Sequence, residues 1–216
     1  DRSLRLRLGA QDDCERTVFS KPPLEALLVP AGGVPVRLIG VHLKSKAPYG
    51  LSGEDAAALQ RANLASRRKQ LAQAIWLRRR VSDCLAAGEE VVVMGDLNDG
   101  PGFDEWEHRF GRSSVEIVMG GPGEVPLHDP HAREGLARRV GAQPNTARFR
   151  VPGEGRYLSA LLDYILVSPG LRERDPVWRI WHPFEDAECW ERADLRAALL
   201  SASDHYPVTL DIDLEG

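Results

Sequence analysis

Short apolar runs broken by glycine and proline alternate with one long stretch of helical periodicity. Residues 24–30 (LEALLVP) and 35–43 (PVRLIGVHL) flank the Gly32-Gly33 pair, which predicts a β-hairpin. A loop with Pro48, Gly50 and Gly53 follows. From Asp55 to Ala87 there is no proline or glycine, and Ala, Leu, Arg and Gln dominate, so the segment predicts a long helix. Leu71, Ala74, Leu77, Val81 and Leu85 recur at helical spacing and form its expected buried stripe, with Gly88 as the stop. Glu90 to Met94 carries Val91-Val92-Val93, the pattern of a strand buried on both faces. A short helix is expected over 103–110, after Pro101-Gly102. Residues 120–156 are dense in Gly, Pro and Arg and read as irregular loops around short strands. Leu161 to Val167 (LLDYILV) and Pro207 to Ile212 (PVTLDI) are the remaining expected strands. No repeat or linker divides the chain, so 1–216 reads as one domain of mixed α/β layering.

The totals change this picture little. A chain of 216 residues, 43% hydrophobic and 28% charged, has the composition of a soluble globular protein. Its net charge of −4 gives no support to sequence-independent nucleic-acid binding through phosphate neutralisation. Cys14, Cys84 and Cys189 are scattered, odd in number and without metal-ligand spacing, and suggest neither a disulfide framework nor a zinc site. No stretch reaches the roughly 18 apolar residues of a membrane span. No signal peptide opens the chain, but it begins Asp1-Arg2-Ser3 without methionine, which leaves localisation open.

Three polar clusters share a context, each inside or at the end of a strongly apolar strand. An ionisable group beside a buried strand costs free energy unless it is paired or metal-bound. Asp96 and Asn98 lie two apart after VVVMG, and residues two apart in extended backbone point the same way. The carboxylate suits a cation or an oriented water, and the amide suits a phosphate oxygen; a strand-end turn also favours these residues. Asp204-His205 precedes the last strand, where an imidazole beside a carboxylate serves as ligand or base, or as part of a surface loop closed by Pro207. Asp163 interrupts an apolar strand and is expected to pair with a cation or an imidazolium. His42 also interrupts a strand, and Lys44 and Lys46 beyond it suit an anionic substrate or plain solvation.

In order, the chain shows FSKPPLEALLV, VHLKS, VVVMGDLND, LLDYILV and SASDHYPV. This set resembles the endonuclease/exonuclease/phosphatase family over nearly the whole chain from about Phe19. The resemblance implies a four-layer α/β sandwich of two packed mixed sheets flanked by helices, with the site at one end of the sheets. It implies in-line attack of water on phosphorus with Mg²⁺ or Mn²⁺ neutralising the phosphate. Carried over residue by residue, Asp96 orients the attacking water or contacts metal and Asn98 hydrogen-bonds the phosphate. His205 lies over the phosphate with Asp163 as its carboxylate partner, and Asp204 is metal-associated. His42 assists the leaving group, as in deoxyribonuclease-like and sphingomyelinase-like branches; apurinic-site enzymes carry tyrosine there. Lys21 and Lys44 are implied phosphate contacts, and Arg67 and Gln70 resemble a recurring family pattern or serve the helix face.

The sequence departs from the family in one respect. The family's early strand ending in asparagine, and the following glutamate that is its principal metal ligand, have no match before Phe19; Glu15 sits in a polar segment (QDDCERT). The expectation is that N-terminal strands lie outside this chain and that the segment alone is inactive. The substrate stays open among nucleic acid, nucleotide, phospholipid headgroup and inositol phosphate, handled by a monomer. A noncatalytic binding or scaffolding module on the same fold is the alternative. The Trp-rich segment from Val177 to Trp190 reads either as core packing or as a loop touching substrate or membrane.

Overall fold

The computed structural model describes residues 3–6, 15–31, 33–46, 56–100, 111–137, 143–150 and 155–214. Two short strands, β1 (Ser3–Leu6) and β2 (Glu15–Val18), pair antiparallel, with Glu15 opposite Leu6. The expected hairpin follows as β3 (Leu24–Leu28) and β4 (Val36–His42), paired antiparallel. Helix α1 (Ala56–Ala86) then crosses to β5 (Glu90–Asp96), which lies parallel to β4. The crossover form fits a parallel pair, which no tight turn can join. Gly88, at φ +79°, ends the helix as anticipated.

Two short helices come next, α2 (Ser114–Met119) and α3 (Pro130–Leu136). Ser113 and Glu116 close a reciprocal capping box on α2, and the Asp129 side chain caps α3 at the Ala132 N–H. The helix expected over 103–110 lies outside the described residues. A hairpin of β6 (Ala147–Arg150) and β7 (Tyr157–Ala160) precedes β8 (Asp163–Val167). Short α4 (Pro169–Arg172) leads to β9 (Val177–Ile180), then to α5 (Ala187–Glu191), α6 (Ala193–Ala202) and the terminal strand β10 (Val208–Asp211). The main sheet runs β3-β4-β5-β8 and is mixed; β9 and β10 form a separate antiparallel pair.

Strand alternation sends side chains to both faces of the main sheet. Ile39, Val41, Val91, Val93, Tyr164 and Leu166 face α1 and meet Ala74, Leu77, Val81 and Cys84. Val36, Val92 and Val167 face the other way, toward Trp178 of β9 and Leu210 of β10. Helix, mixed sheet and second sheet therefore stack as layers, the α/β sandwich class expected from the sequence, with the second sheet an antiparallel pair among the described residues. The predicted helix stripe holds, with one adjustment: Cys84 is buried at 1% exposure and Leu85 is only half-buried. Four residues of helix after Val81 overshoot the face that three residues reach.

The Trp-rich segment is core at one end and exposed at the other. Trp178 packs in the second core and donates its indole N–H to the Ile165 carbonyl at 2.7 Å. Trp190 is 58% exposed, with the Arg196 guanidinium over its ring.

Candidate active site

The ends of β4, β5 and β8 converge because their registers align. His42 lies opposite Asp96, and Asp96 opposite Asp163. Gly95 permits this approach. It sits at φ +127°, and any Cβ there would collide with the Val41 carbonyl oxygen of β4.

Asp96 ends β5 with 14% of its side chain exposed. Its Oδ1 accepts the Asn98 backbone N–H at 2.7 Å and its Oδ2 accepts the Asn98 side-chain amide at 2.8 Å. The two residues do meet, though not by strand alternation. Asn98 lies beyond the strand at φ +51°, a left-handed turn in which Asn is tolerated. The same amide donates to the Leu43 carbonyl at 3.1 Å, so its N–H groups brace Asp96 and the chain after β4. Burial raises the Asp96 carboxyl above the usual carboxylate range, the Asn98 N–H opposes this, and Asp163 adds to the rise.

His205 Nδ1 lies 2.8 Å from Asp163 Oδ2, which also accepts the Thr146 hydroxyl at 2.8 Å. Thr146 Oγ1 in turn accepts the Leu162 and Asp163 backbone N–H groups, each at 3.0 Å. A carboxylate only accepts, so the contact places a hydrogen on Nδ1. The hydrogen bond to Asp163 raises the His205 pKa above its ordinary value, against the opposing effect of burial. A histidine so shifted contributes stability in full below its unfolded value of 6.5, and loses it as pH rises through the folded value. Asp163→Asn is therefore expected to move the His205 imidazole titration downward, read by NMR at the ring C2 proton. An unchanged titration would show that the contact does not set it.

Asp96, Asp163 and His205 offer ligand atoms that all lie within 4.8 Å of one another. Of the other anticipated residues, His42 Nε2 lies 3.5 Å from Asp96 Oδ2. Lys21 Nζ sits 2.9 Å from His42 Nδ1 and 3.2 Å from Nε2. Lys44 donates to the Ser45 carbonyl at 2.9 Å, and burial together with neighbouring Lys69 lowers its pKa. Asp204 is placed apart from the group: it is exposed, with Ser203 Oγ at 3.5 Å, while its carbonyl accepts the Arg148 N–H. Its neighbour in sequence turns inward and it turns out, as consecutive extended residues do.

Sequence reasoning assigned no role to Thr146, Asp99 or Gln73. Asp99 is fully buried, with Lys46 Nζ at 2.5 Å from Oδ1, and Arg67 at 3.3 Å and the Ser114 N–H at 2.7 Å from Oδ2. Only Asp99 carried a signal, as the third polar residue of GDLND.

Carboxylate oxygens of Asp96 and Asp163 are hard donors of the kind that hold Mg²⁺ or Mn²⁺ through one or two carboxylates, with water and phosphate completing the shell. The residues present thus fit such an ion. The His205 nitrogen suits it less and is committed to Asp163.

The sequence profile described as the Endonuclease/Exonuclease/phosphatase family matches residues 12–205. The chain belongs to this family. Phosphoester hydrolysis of the nuclease and phosphatase type is the chemistry of the endonuclease/exonuclease/phosphatase family, as its name states. Among solved structures the chain is similar to a 3′ phosphatase, NExo, from Neisseria bound to product DNA hairpin, at 17% identity and TM-score 0.46, over 82% of this chain and 61% of that one. An AP endonuclease from Archaeoglobus fulgidus matches at 18% identity and TM-score 0.48, over 82% and 62% of the two chains. A beta toxin from Staphylococcus aureus matches at 16% identity and TM-score 0.42, over 88% and 56%. The chain thus spans less than two thirds of these structures. No curated protein matches it. Among the described residues no helix is long and apolar enough to cross a membrane.

Proposed function

We propose that this chain carries the phosphate-handling part of a divalent-metal-dependent phosphodiesterase. The observation that carries the reading is the convergence of a buried, basic carboxylate (Asp96) with a carboxylate-supported imidazole (His205) at the shared end of three strands.

The groups divide the work by their chemistry. Asp96, held at the strand end by the Asn98 N–H groups, orients the attacking water and takes its proton. His205, whose protonated form Asp163 favours, lies against the phosphate and in that form offsets charge that grows in the transition state. His42 protonates the leaving oxygen, with Lys21 at its ring adding positive potential for an anionic substrate. Asn98 fixes the Asp96 carboxylate in place and donates to the phosphate when substrate exchanges with one of its present acceptors. Lys44 adds a further cation at the same rim. A divalent ion, held by Asp96 and Asp163, would supply Lewis-acid neutralisation of the phosphate oxygens. Asp204 remains a proposed contributor to the ion from the rim.

Assay of the whole gene product with bis(p-nitrophenyl) phosphate and Mg²⁺ tests this. Hydrolysis is expected to fall to background in EDTA and to return with Mg²⁺ or Mn²⁺. Hydrolysis that persists in EDTA would overturn metal dependence, and none under any condition would favour a noncatalytic module. A panel of nucleotide, oligonucleotide, phospholipid and inositol phosphates then sorts the substrate.

A further inference from the structure

Helix α1 packs an apolar stripe on the sheet, yet the same face carries glutamines that are almost wholly removed from water. Gln70 is 0% exposed and Gln73 is 2% exposed. Burying an amide costs free energy unless it is hydrogen-bonded, and both side chains bond to backbone at one place. Gln70 Nε2 donates to the Leu97 carbonyl at 3.2 Å and to the Asn98 carbonyl at 2.8 Å. Gln73 Oε1 accepts the Lys44 backbone N–H at 2.7 Å. Arg67 NH1 donates to Gln70 Oε1 at 2.5 Å and fixes which end of the amide faces the loop.

These bonds go to the backbone just past the ends of two adjacent parallel strands. Leu97 and Asn98 follow Asp96 of β5, and Lys44 follows His42 of β4. Residues three apart on a helix are neighbours on one face, so the two amides sit one turn apart on a rigid element. The Asn98 side chain stitches the same two segments together at the Leu43 carbonyl. We propose that Gln70 and Gln73 are positioning residues: α1 sets the spacing between the His42 end of β4 and the Asp96–Asn98 turn. The inference rests on the hydrolase reading given above.

The test substitutes each glutamine by methionine, similar in shape and without hydrogen bonds, beside Leu77→Ala as a control that loosens the shared core of α1 while keeping every hydrogen bond from α1 to the two loops. For Gln70→Met, kcat is expected to drop about 100-fold with KM changed little, as for a catalytic group displaced by about 1 Å. Gln73→Met is expected to act in the same direction and more weakly, since it loses one bond. Leu77→Ala is expected to lower Tm at least as much while kcat, measured well below Tm, stays near wild type.

Hydrogen exchange gives a second readout that needs no activity. Amides of Leu97 to Asp99 are expected to exchange faster in Gln70→Met than in Leu77→Ala. If kcat and exchange in Gln70→Met simply follow Tm, as in the control, the role is structural and the proposal fails. If wild type hydrolyses no phosphoester, the functional reading falls and exchange alone decides. Selective opening of 97–99 would then uphold the positioning role, and equal opening would refute it.

Discussion

Asp96→Asn is expected to lower kcat for phosphodiester hydrolysis by about 10³-fold, the loss typical of a removed general base, while leaving the protein as stable or more stable at neutral pH. The two effects come from one cause. Burial is the largest influence on the Asp96 carboxyl and raises its pKa in the folded chain. A carboxyl whose folded pKa lies above its unfolded value stabilises below the unfolded value, and that contribution is lost as pH rises through the folded one. At neutral pH the ionised group opposes folding, and a neutral amide removes that cost. The variant keeps an acceptor for the Asn98 backbone N–H now received by Oδ1 and gives up the one that Oδ2 offers the Asn98 side-chain amide, a neutral bond worth about 1 kcal/mol that sets the upper limit on any loss. Steady-state kinetics with Mg²⁺ and thermal melts in EDTA, both at pH 7, check the two halves. Activity within a few-fold of wild type, or a clear fall in Tm, would count against Asp96 as the buried base.

Asp99→Ala is expected to cost about 3–5 kcal/mol of stability, as when one partner of a buried charge pair is removed. The carboxylate has no exposure and faces Arg67, itself 3% exposed, together with Lys46 and the first N–H of α2. The Asp99 carbonyl also accepts the Tyr164 hydroxyl at 2.9 Å, and alanine keeps that bond. The loss should therefore appear as an unfavourably buried guanidinium rather than as a cavity. Urea unfolding measures it; a change below about 1 kcal/mol, the scale of an exposed pair, would show that Arg67 finds an equal partner elsewhere.

Elements with strong local signals were legible in the sequence. The β3–β4 hairpin announces itself by two apolar runs about a glycine pair, and α1 by 31 residues without a breaker. The buried character of β5 follows from three consecutive valines, and both of its faces are covered as that run implies. Asp163 was anomalous in an apolar strand, and its pairing with an imidazole answers the anomaly.

What stayed hidden depends on contacts distant in sequence. Thr146 meets Asp163 across seventeen residues and Gln73 meets Lys44 across twenty-nine, with nothing local to mark either. Asn98 was legible as a residue and illegible as a conformation, because its positive φ is imposed by the turn. β9 was hidden at the head of the Trp-rich segment, whose aromatics suit a packed strand and an exposed loop equally well.

The tie of both loops to α1 also bears on inhibition. A small molecule that bridges the β4 end and the Asp96–Asn98 turn meets two surfaces already held at a fixed separation. Little ordering entropy is then spent on capture, so most of each new contact should appear as affinity. Compounds reaching only one rim gain nothing from that preorganisation, which makes bridging length the first variable for a chemist to explore.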